Sequence, residues 1–284
     1  MVFPWLIWVI FYIYRHRHRF FRNWRKLLQA LLVVFLTLSF IYARFVEPRL
    51  ITIRQQTVSV GFNAKIAVIS DVHLGIYKDN VFLSQVVTKI NSFPNIDAVL
   101  IPGDLTYEPS GDLTTLFAPL KQIKFPVYAV LGNHDTGHPG PAITNDLIRA
   151  LQENNVTVLD NSSARLPTKD ITILGLGELW SGDTDLSTIN QFTTQDNLIV
   201  LAHNPDVTLS YQNFIPDITI TGHTHGGQIR IPFLYKYIIP CVGDFDQGIY
   251  YQPHGPVYVS AGLGETAIPV RLFDPPGIDI IALE

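Results

Sequence analysis

Cysteine is almost absent from this chain, because Cys241 is the single thiol among 284 residues. One cysteine excludes an internal disulfide and a metal cluster held by thiolates. Low-complexity tracts and internal repeats are lacking as well. The length is sufficient for one large domain or two small ones with a sizeable core.

Positive charge is scarce beyond the N-terminal region. Eight of the 20 Lys and Arg residues and one of the 24 acids lie in residues 1–50, so residues 51–284 carry 12 cations, 23 acids and a formal charge of −11. Nucleic-acid binding depends on cations that neutralise phosphates. Such an acidic body is poorly suited to that task, and we expect no nucleic-acid partner.

Apolar residues are concentrated at the N-terminus. Residues 2–14 form an apolar run of 13, short of the roughly 17–25 that span a bilayer, so an interfacial, re-entrant or imperfect spanning segment remains open. A basic block at residues 15–26 contains six cations and precedes 17 uncharged residues, 27–43. We predict a transmembrane helix at 27–43, because a basic block has no place beside a buried core helix.

A cleaved signal peptide is the alternative to a retained anchor. Its charged region would be unusually long, and no clear A-x-A site follows it, which favours retention. By the positive-inside rule the basic block is cytoplasmic, and one crossing places the rest of the chain on the external or periplasmic side of the membrane. Arg44 and Arg49, on the far flank of the apolar run, oppose this orientation.

Apolar periodicity after residue 64 predicts an α/β protein. Strands are expected at 65–70, 97–102 and 126–132, alternating with helices at 79–93, 113–120 and 142–154. Further strands are expected at 156–159, 170–177, 197–203, 217–223, 228–232, 256–262 and 278–283. This order predicts two mixed sheets packed face to face with helices outside them.

Several apolar runs end in the same kinds of residue. Taken singly, an Asp after a strand is commonly a turn residue and a lone His is commonly structural. Because the carboxyl ends of neighbouring strands meet at one edge of a sheet, we expect these side chains to converge. They are Asp71, His73, Asp104, Asn133, His134, Asp135, His203, His223 and His225.

The residue types favour a site for two metal ions. Carboxylate, amide and imidazole ligands without thiolate suit Mn, Fe or Zn, and several histidines argue against a pure Mg²⁺ or Ca²⁺ site. Two cations about 3.5–4 Å apart need a carboxylate between them to offset their repulsion. Asp104 is the natural bridge.

The motif order D-x-H, GD, GNHD, H and GHTH, over residues 65–232, resembles the calcineurin-like metallophosphoesterase family. The resemblance implies a four-layer α/β/β/α fold, with residues 1–46 as the anchor, 47–64 as a linker and first strand, and 65–284 as the catalytic domain. The implied ligands of the first metal are Asp71, His73 and His225, with Asp104 as the bridge, and those of the second are Asn133, His203 and His223. His134 corresponds to the residue that protonates the leaving group or holds the phosphate, and Asp135 is expected to orient it.

The resemblance implies a phosphoesterase in which a metal-bound hydroxide attacks phosphorus. Many family members have an acid three residues after the GD aspartate, whereas Glu108 lies four residues after Asp104 here, so support around the ligands is expected to differ. A phosphoprotein phosphatase or a nuclease with the same metals remains an alternative. A non-catalytic scaffold is disfavoured, since every implied ligand is present.

The anchor and the GHTHGGQ motif resemble bacterial membrane phosphodiesterases, and some relatives hydrolyse UDP-2,3-diacylglucosamine in lipid A synthesis. That substrate is cytoplasmic, which conflicts with an external body, so the broader expectation is a lipid-linked or membrane-associated phosphoester. Gly226 and Gly227 permit close approach to a ligand, and Arg230 is a candidate phosphate contact. Residues 233–239 are either an ordinary strand or core segment or a lipid-facing lip. The bilayer is the expected partner, and no protein partner is inferred.

Overall fold

The structure is a computed structural model that describes residues 3–17, 23–193, 195–212 and 214–284. Part of the predicted basic block, residues 18–22, lies outside the described residues. The anchor region forms two helices, Phe3–Arg15 (α1) and Trp24–Ile41 (α2). The chain continues from α2 through a π-helical turn and a 3-10 turn, Tyr42–Val46 and Glu47–Arg49.

One continuous helical segment, Trp24–Arg49, is the candidate membrane span in the part of the chain that the structure describes. It has 26 residues, and only 6% of its apolar window is buried. Low burial distinguishes this segment from an apolar core helix. The shorter α1, with 13 residues, falls below the length that crosses a bilayer as a straight helix.

The body is built on two six-stranded sheets. Within the described residues the strands, β1 to β14 in chain order, are Thr52–Val58, Ala64–Val68, Leu74–Gly75, Ala98–Pro102, Thr106–Tyr107, Val127–Val130, Val156–Val158, Ser162–Arg165, Thr172–Gly175, Leu198–Leu201, Ile218–Thr221, Gly248–Gln252, Gly255–Val259 and Gly277–Leu283. The first sheet has the order β1-β14-β2-β4-β6-β7, and the second has the order β12-β13-β11-β10-β9-β8. β3 and β5 form a separate parallel pair.

Each sheet has four parallel strands and two strands that run in the opposite direction. β2, β4, β6 and β7 are parallel, while β14 is antiparallel to β2 and parallel to β1. In the second sheet β9, β10, β11 and β13 are parallel, and β8 and β12 run antiparallel to their neighbours. The carboxyl ends of the parallel strands therefore lie along one edge of each sheet.

Apolar side chains pack between the two sheets and on their outer faces. Ile66 and Leu100 of the first sheet meet Ile199 and Ile220 of the second in one buried cluster. Three helices, Asn80–Asn91 (α3), Leu113–Phe117 (α4) and Thr144–Glu153 (α5), cover the outer face of the first sheet. Burial of each such Ile or Leu side chain contributes about 1.5–3 kcal/mol to stability. The shared cluster between the sheets and the helices outside confirm the expected face-to-face α/β architecture.

The predicted strand at 228–232 is wrong. This segment contributes only one isolated bridge, between Ile229 and Leu272. Gly226 and Gly227 before it and Gln228 at its start all have positive φ angles, which break an extended run. The strand-or-core interpretation of 233–239 is also wrong. These residues form a loop around the 3-10 turn Tyr235–Ile238, in which no side chain is buried.

Candidate metal centre and active site

The polar residues at the strand ends are held in unusual backbone conformations. Five of them lie in the left-handed region, with φ of 49° at Asp71, 49° at His73, 50° at Asp104, 71° at His223 and 51° at His225. Such angles cost free energy for residues other than glycine and persist only where the surrounding structure imposes them. These five residues lie together at one edge of the two sheets. The fold therefore accepts unfavourable backbone angles there in order to bring their side chains together.

One cluster of ligand atoms is formed by Asp71, His73, Asp104 and His225, all of which are buried. The Nε2 atoms of His73 and His225 are 3.0 Å apart. His73 Nε2 is 3.5 Å from Asp104 Oδ2, and His225 Nε2 is 3.5 Å from Asp71 Oδ1. Four candidate ligand atoms thus face one small volume.

A second cluster shares Asp104 with the first and adds His203 and His223. His203 Nε2 lies 3.0 Å from His223 Nδ1 and 3.4 Å from Asp104 Oδ2. The Oδ1 atom of Asn133 is 3.0 Å from His203 Nε2. The structure therefore brings all seven predicted ligands together and places the Asp104 carboxylate between the two groups.

In three histidines, a hydrogen bond to a backbone carbonyl determines which ring nitrogen is free to bind a metal ion. A carbonyl only accepts a hydrogen bond, so the ring nitrogen that faces it is the N–H, and the other nitrogen has a lone pair for a metal. The presented atoms are then Nε2 of His73, Nε2 of His203 and Nδ1 of His223. The accepting carbonyls are those of Thr106, Pro102 and Pro240, at 3.2, 2.8 and 3.2 Å respectively.

Burial and neighbouring charges shift the pKa values of the site residues. Burial lowers the pKa of His73 to about 4 and of His223 to about 3, and it raises the pKa of Asp71 to about 7. For His203, burial lowers the pKa, but the charge and hydrogen bond of Asp104, the charge of Asp71 and the Pro102 carbonyl together outweigh it and raise the pKa to about 10. Asp104 thus attracts a positive charge, which a proton on His203 or a metal ion can supply.

The donor set fits metal ions. The Nε2 atoms of His73 and His225 are 3.0 Å apart, so either a proton on His225 Nε2 or a cation between the rings must offset the repulsion of their lone pairs. His225 Nδ1 is also buried without a hydrogen-bond partner, a cost of about 1–3 kcal/mol that a metal-bound ring offsets. Oxygen and imidazole donors without sulfur match Mn, Fe or Zn. The buried His and Asp residues can therefore bind metal ions.

A cavity of about 400 Å³ opens over the two clusters. His134 lines it, and its main-chain N–H donates to Asp104 Oδ1 at 2.9 Å. The His134 ring contacts the rings of His73 and Tyr107, with centroids 5.1 and 5.0 Å away, and its Nε2 is 3.4 Å from Thr266 Oγ1. The His134 imidazole can therefore contact a phosphoester that binds in the cavity.

Asp135 does not fulfil the expectation that it orients His134. Its buried carboxylate instead accepts hydrogen bonds from the main-chain N–H groups of Leu105, Thr106 and Gly132, at 2.9–3.0 Å, and from Thr106 Oγ1 at 2.8 Å. Adjacent residues in a turn point in different directions, so sequence proximity to His134 was misleading. Asp135 fastens the turn at Gly132 to the loop that follows Asp104, and thus supports the shared carboxylate.

Arg230 is not free to bind phosphate. Its guanidinium donates to the Gly226 carbonyl at 2.6 Å and to Asp246 Oδ2 at 3.0 Å, and it lies over the ring of Tyr235 at 4.1 Å. Its charge is therefore neutralised by Asp246. Gly227 lines the cavity, whereas Gly226 packs below it, where a Cβ atom would lie 2.3 Å from Asp274 Oδ2.

Sequence reasoning missed the residues that build the cavity wall opposite the ligands. Gln228 donates through Nε2 to the carbonyls of Thr266 and Ile268 and accepts the Thr266 N–H at 2.9 Å, so it fixes the loop that contacts His134. Trp180, 4.4 Å from the His223 ring, forms another side of the cavity. The Gln in GGQ was the only available signal for this wall, and its partners lie about 40 positions away.

Comparison with known proteins adds an independent line of support. The model of the family described as calcineurin-like phosphoesterase matches residues 64–227. The uncharacterized metallophosphoesterase YkuE of Bacillus subtilis is 32% identical over 259 residues, which are 86% of this chain and 89% of that protein. Phosphodiesterase YaeI of Escherichia coli is 29% identical over 76% of this chain and 82% of its own length. A transmembrane protein with metallophosphoesterase domain from Danio rerio is 30% identical over 73% of this chain and 50% of its own length.

Proposed function

This chain belongs to the calcineurin-like phosphoesterase family, and from that premise we propose that it is a membrane-anchored phosphodiesterase with two metal ions. As a family member it is a metal-dependent phosphoester hydrolase. The proposed reaction is hydrolysis of a phosphodiester or pyrophosphate bond in a lipid-linked or membrane-associated substrate. The observation that carries the proposal is the pair of buried ligand clusters that share Asp104.

The two clusters would hold one divalent ion each, with Mn, Fe or Zn as the candidates. When bound, the ions would supply positive charge to the phosphate oxygens and would lower the pKa of a bound water, and both effects favour phosphoester hydrolysis. The first ion would be held by Asp71, His73, Asp104 and His225, and the second by Asp104, Asn133, His203 and His223. The carbonyl partners of the histidines hold the rings in the required tautomer before any ion arrives.

His134 is the proposed catalytic residue of the chain itself. The hydrogen bond from its N–H to Asp104 fixes its backbone against the shared ligand, and Tyr107 and Thr266 contact its ring. From this position the imidazole donates a proton to the departing oxygen or holds a phosphate oxygen. Asp135 acts indirectly, because it keeps the turn that carries His134 attached to the Asp104 loop.

The membrane part of the proposal rests on Trp24–Arg49, which has the length and composition of a span and is largely unburied. A homologue described as a transmembrane protein is consistent with it. The basic block predicts that the body, residues 51–284, lies outside the cytoplasm. A membrane location favours a substrate in or on the same bilayer, since the anchor confines the enzyme to that surface.

Metal-supplemented assays of the full chain in detergent test the reaction. We expect Mn²⁺-dependent hydrolysis of bis-p-nitrophenyl phosphate, with loss of activity and of one bound metal equivalent in Asp104→Asn. Asp170→Asn, which changes an exposed carboxylate, is the matched control. If purified protein with bound metal hydrolyses p-nitrophenyl phosphate but no diester or pyrophosphate, the phosphodiesterase proposal is wrong and the phosphatase alternative stands.

Topology is tested separately with a single introduced cysteine. In a Cys241→Ala background, Thr168→Cys places a thiol on an exposed turn of the body. A membrane-impermeant maleimide added to intact cells should label it if the body is external. Labelling only after permeabilisation would reverse the orientation and would make a cytoplasmic pyrophosphate substrate, such as UDP-2,3-diacylglucosamine, the one to assay first.

A further inference from the structure

The end of the anchor is fastened to the wall of the active site. In the segment 42–50 the carbonyl of Ala43 accepts the main-chain N–H of Arg271 at 2.9 Å, and Glu47 Oε1 accepts the N–H of Asp274 at 2.6 Å. Ala43 and Glu47 are 6% and 2% exposed. This segment is therefore packed into the body and is not a free linker, so the body has a fixed position relative to the end of the anchor.

The attachment places the cavity next to the membrane surface. Ala43 is the last residue of the uncharged run, and Ile268, which lines the cavity, is three residues before its partner Arg271. Three residues span at most about 11 Å, and the headgroup layer beyond the hydrocarbon is about 5–8 Å thick on each side. The mouth of the cavity is thus at the level of the headgroups or directly beside them.

Large apolar side chains are exposed in the two segments, 229–242 and 266–273, that contribute Ile229, Pro240 and Ile268 to the cavity lining. We call this set the mouth surface, and it consists of Ile231, Phe233, Tyr237, Val242, Ile268 and Phe273. Phe233 is 91% exposed and Tyr237 86%. Such an exposed aromatic and aliphatic set is unfavourable in water and is typical of a surface that contacts another apolar phase.

The backbone holds the two halves of the mouth surface together. The Arg230 N–H donates to the Leu272 carbonyl at 2.8 Å, and the Leu272 N–H donates to the Gln228 carbonyl at 3.0 Å. Phe233 and Phe273 follow these contacts with φ of 69° and 62°. Left-handed backbone at two phenylalanines is locally unfavourable, and both rings remain largely exposed, at 91% for Phe233 and 67% for Phe273.

We propose that the mouth surface inserts into the headgroup layer of the same bilayer that holds the anchor. The bilayer is the surface that this set contacts, because the end of the anchor is bonded to residues 271 and 274, next to Phe273. Aromatic side chains favour the interface, and Arg44 and Arg49 at the anchor end suit anionic headgroups. The cavity then opens onto lipid headgroups, and the substrate is a lipid phosphoester that reaches it without leaving the bilayer. This rests on the anchoring part of the proposed function and not on catalysis.

Depth-dependent quenching in vesicles of phosphatidylethanolamine and phosphatidylglycerol tests the insertion. The full chain, in a Cys241→Ala background, is labelled with an environment-sensitive fluorophore at Phe233→Cys. The matched control is the label at Thr168→Cys, on the turn before β9, at the opposite end of the second sheet from the site. We expect a blue-shifted emission and several-fold stronger quenching by headgroup-proximal nitroxide lipids at position 233 than at position 168.

Charge substitution gives the second arm of the test. With the label at Phe273→Cys, the double change Phe233→Asp and Tyr237→Asp should abolish quenching at 273, whereas Ile215→Asp, at another exposed apolar position, should not. Equal, water-like emission at 233 and 168 would overturn the proposal. A blue-shifted emission at 233 without quenching by the nitroxide lipids would also overturn it, because it would indicate that a second protein copy covers the surface. If the label at 233 is quenched but the protein hydrolyses no diester, the proposed reaction is wrong and the insertion proposal stands.

Discussion

Replacement of Glu47 by Ala tests the claim that the juxtamembrane segment is part of the folded body. Glu47 Oε1 accepts the buried N–H of Asp274 at 2.6 Å, and the change leaves that N–H without a partner. An unsatisfied buried donor costs about 1–3 kcal/mol. For a body of 150–250 residues, each kcal/mol shifts the melting temperature by about 2–4 °C, so we expect a decrease of about 2–12 °C.

Near-ultraviolet circular dichroism of the full chain in detergent measures this shift. Glu47→Gln retains an acceptor oxygen and should recover most of the loss, and Glu153→Ala, at an exposed position, should change the free energy of unfolding by about 0.5 kcal/mol or less. An unchanged melting temperature for Glu47→Ala would refute the reasoning. An equal loss in Glu47→Gln would show that the negative charge, and not the hydrogen bond to Asp274, is what stabilises the attachment.

Three other changes test the site and the core. His134→Asn should lower kcat for a diester by about 10²–10⁴-fold while metal content, measured by mass spectrometry, stays unchanged; parallel loss of metal would contradict its catalytic role. Gly226→Ala should destabilise the fold in urea unfolding, because its Cβ would lie 2.3 Å from Asp274 Oδ2 at a φ of 59°. Burial raises the pKa of Asp279 to about 6, so its folded form binds a proton that the unfolded form, with a pKa of 3.8, releases. Stability should therefore fall as pH rises from about 4 to 6, by about 3 kcal/mol, and Asp279→Asn should remove that slope.

The residues of the two buried clusters were predictable because strand ends and residue type are both visible in the sequence. Asp71, Asp104 and His203 each follow a short apolar run, and parallel neighbours place the ends of such runs at one edge. The direction of a side chain within a turn has no such signature. For that reason Asp135 was assigned to His134 although its carboxylate faces the N–H groups of Leu105 and Thr106.

Long-range partners explain the other errors. Arg230 has the charge of a phosphate contact, but Asp246, 16 residues later, neutralises it, and no periodicity links the two. The polar strand Ser162–Arg165 lacked the apolar alternation of a strand because it is an edge member with an exposed or half-buried face. A strand that buries little has little hydrophobic signal.

The position of the anchor follows from the pairing of the first and last strands. β1 pairs in parallel with β14, with Thr52 opposite Gly277, and the Thr52 N–H donates to the Pro276 carbonyl. A parallel pair puts whatever precedes β1 beside whatever precedes β14. The candidate membrane helix precedes β1, and the loop that contacts His134 precedes β14. Any change of register between these two strands would therefore move the end of the segment Trp24–Arg49 away from the site loop, so the proposed position of the cavity at the membrane surface depends on this strand pairing.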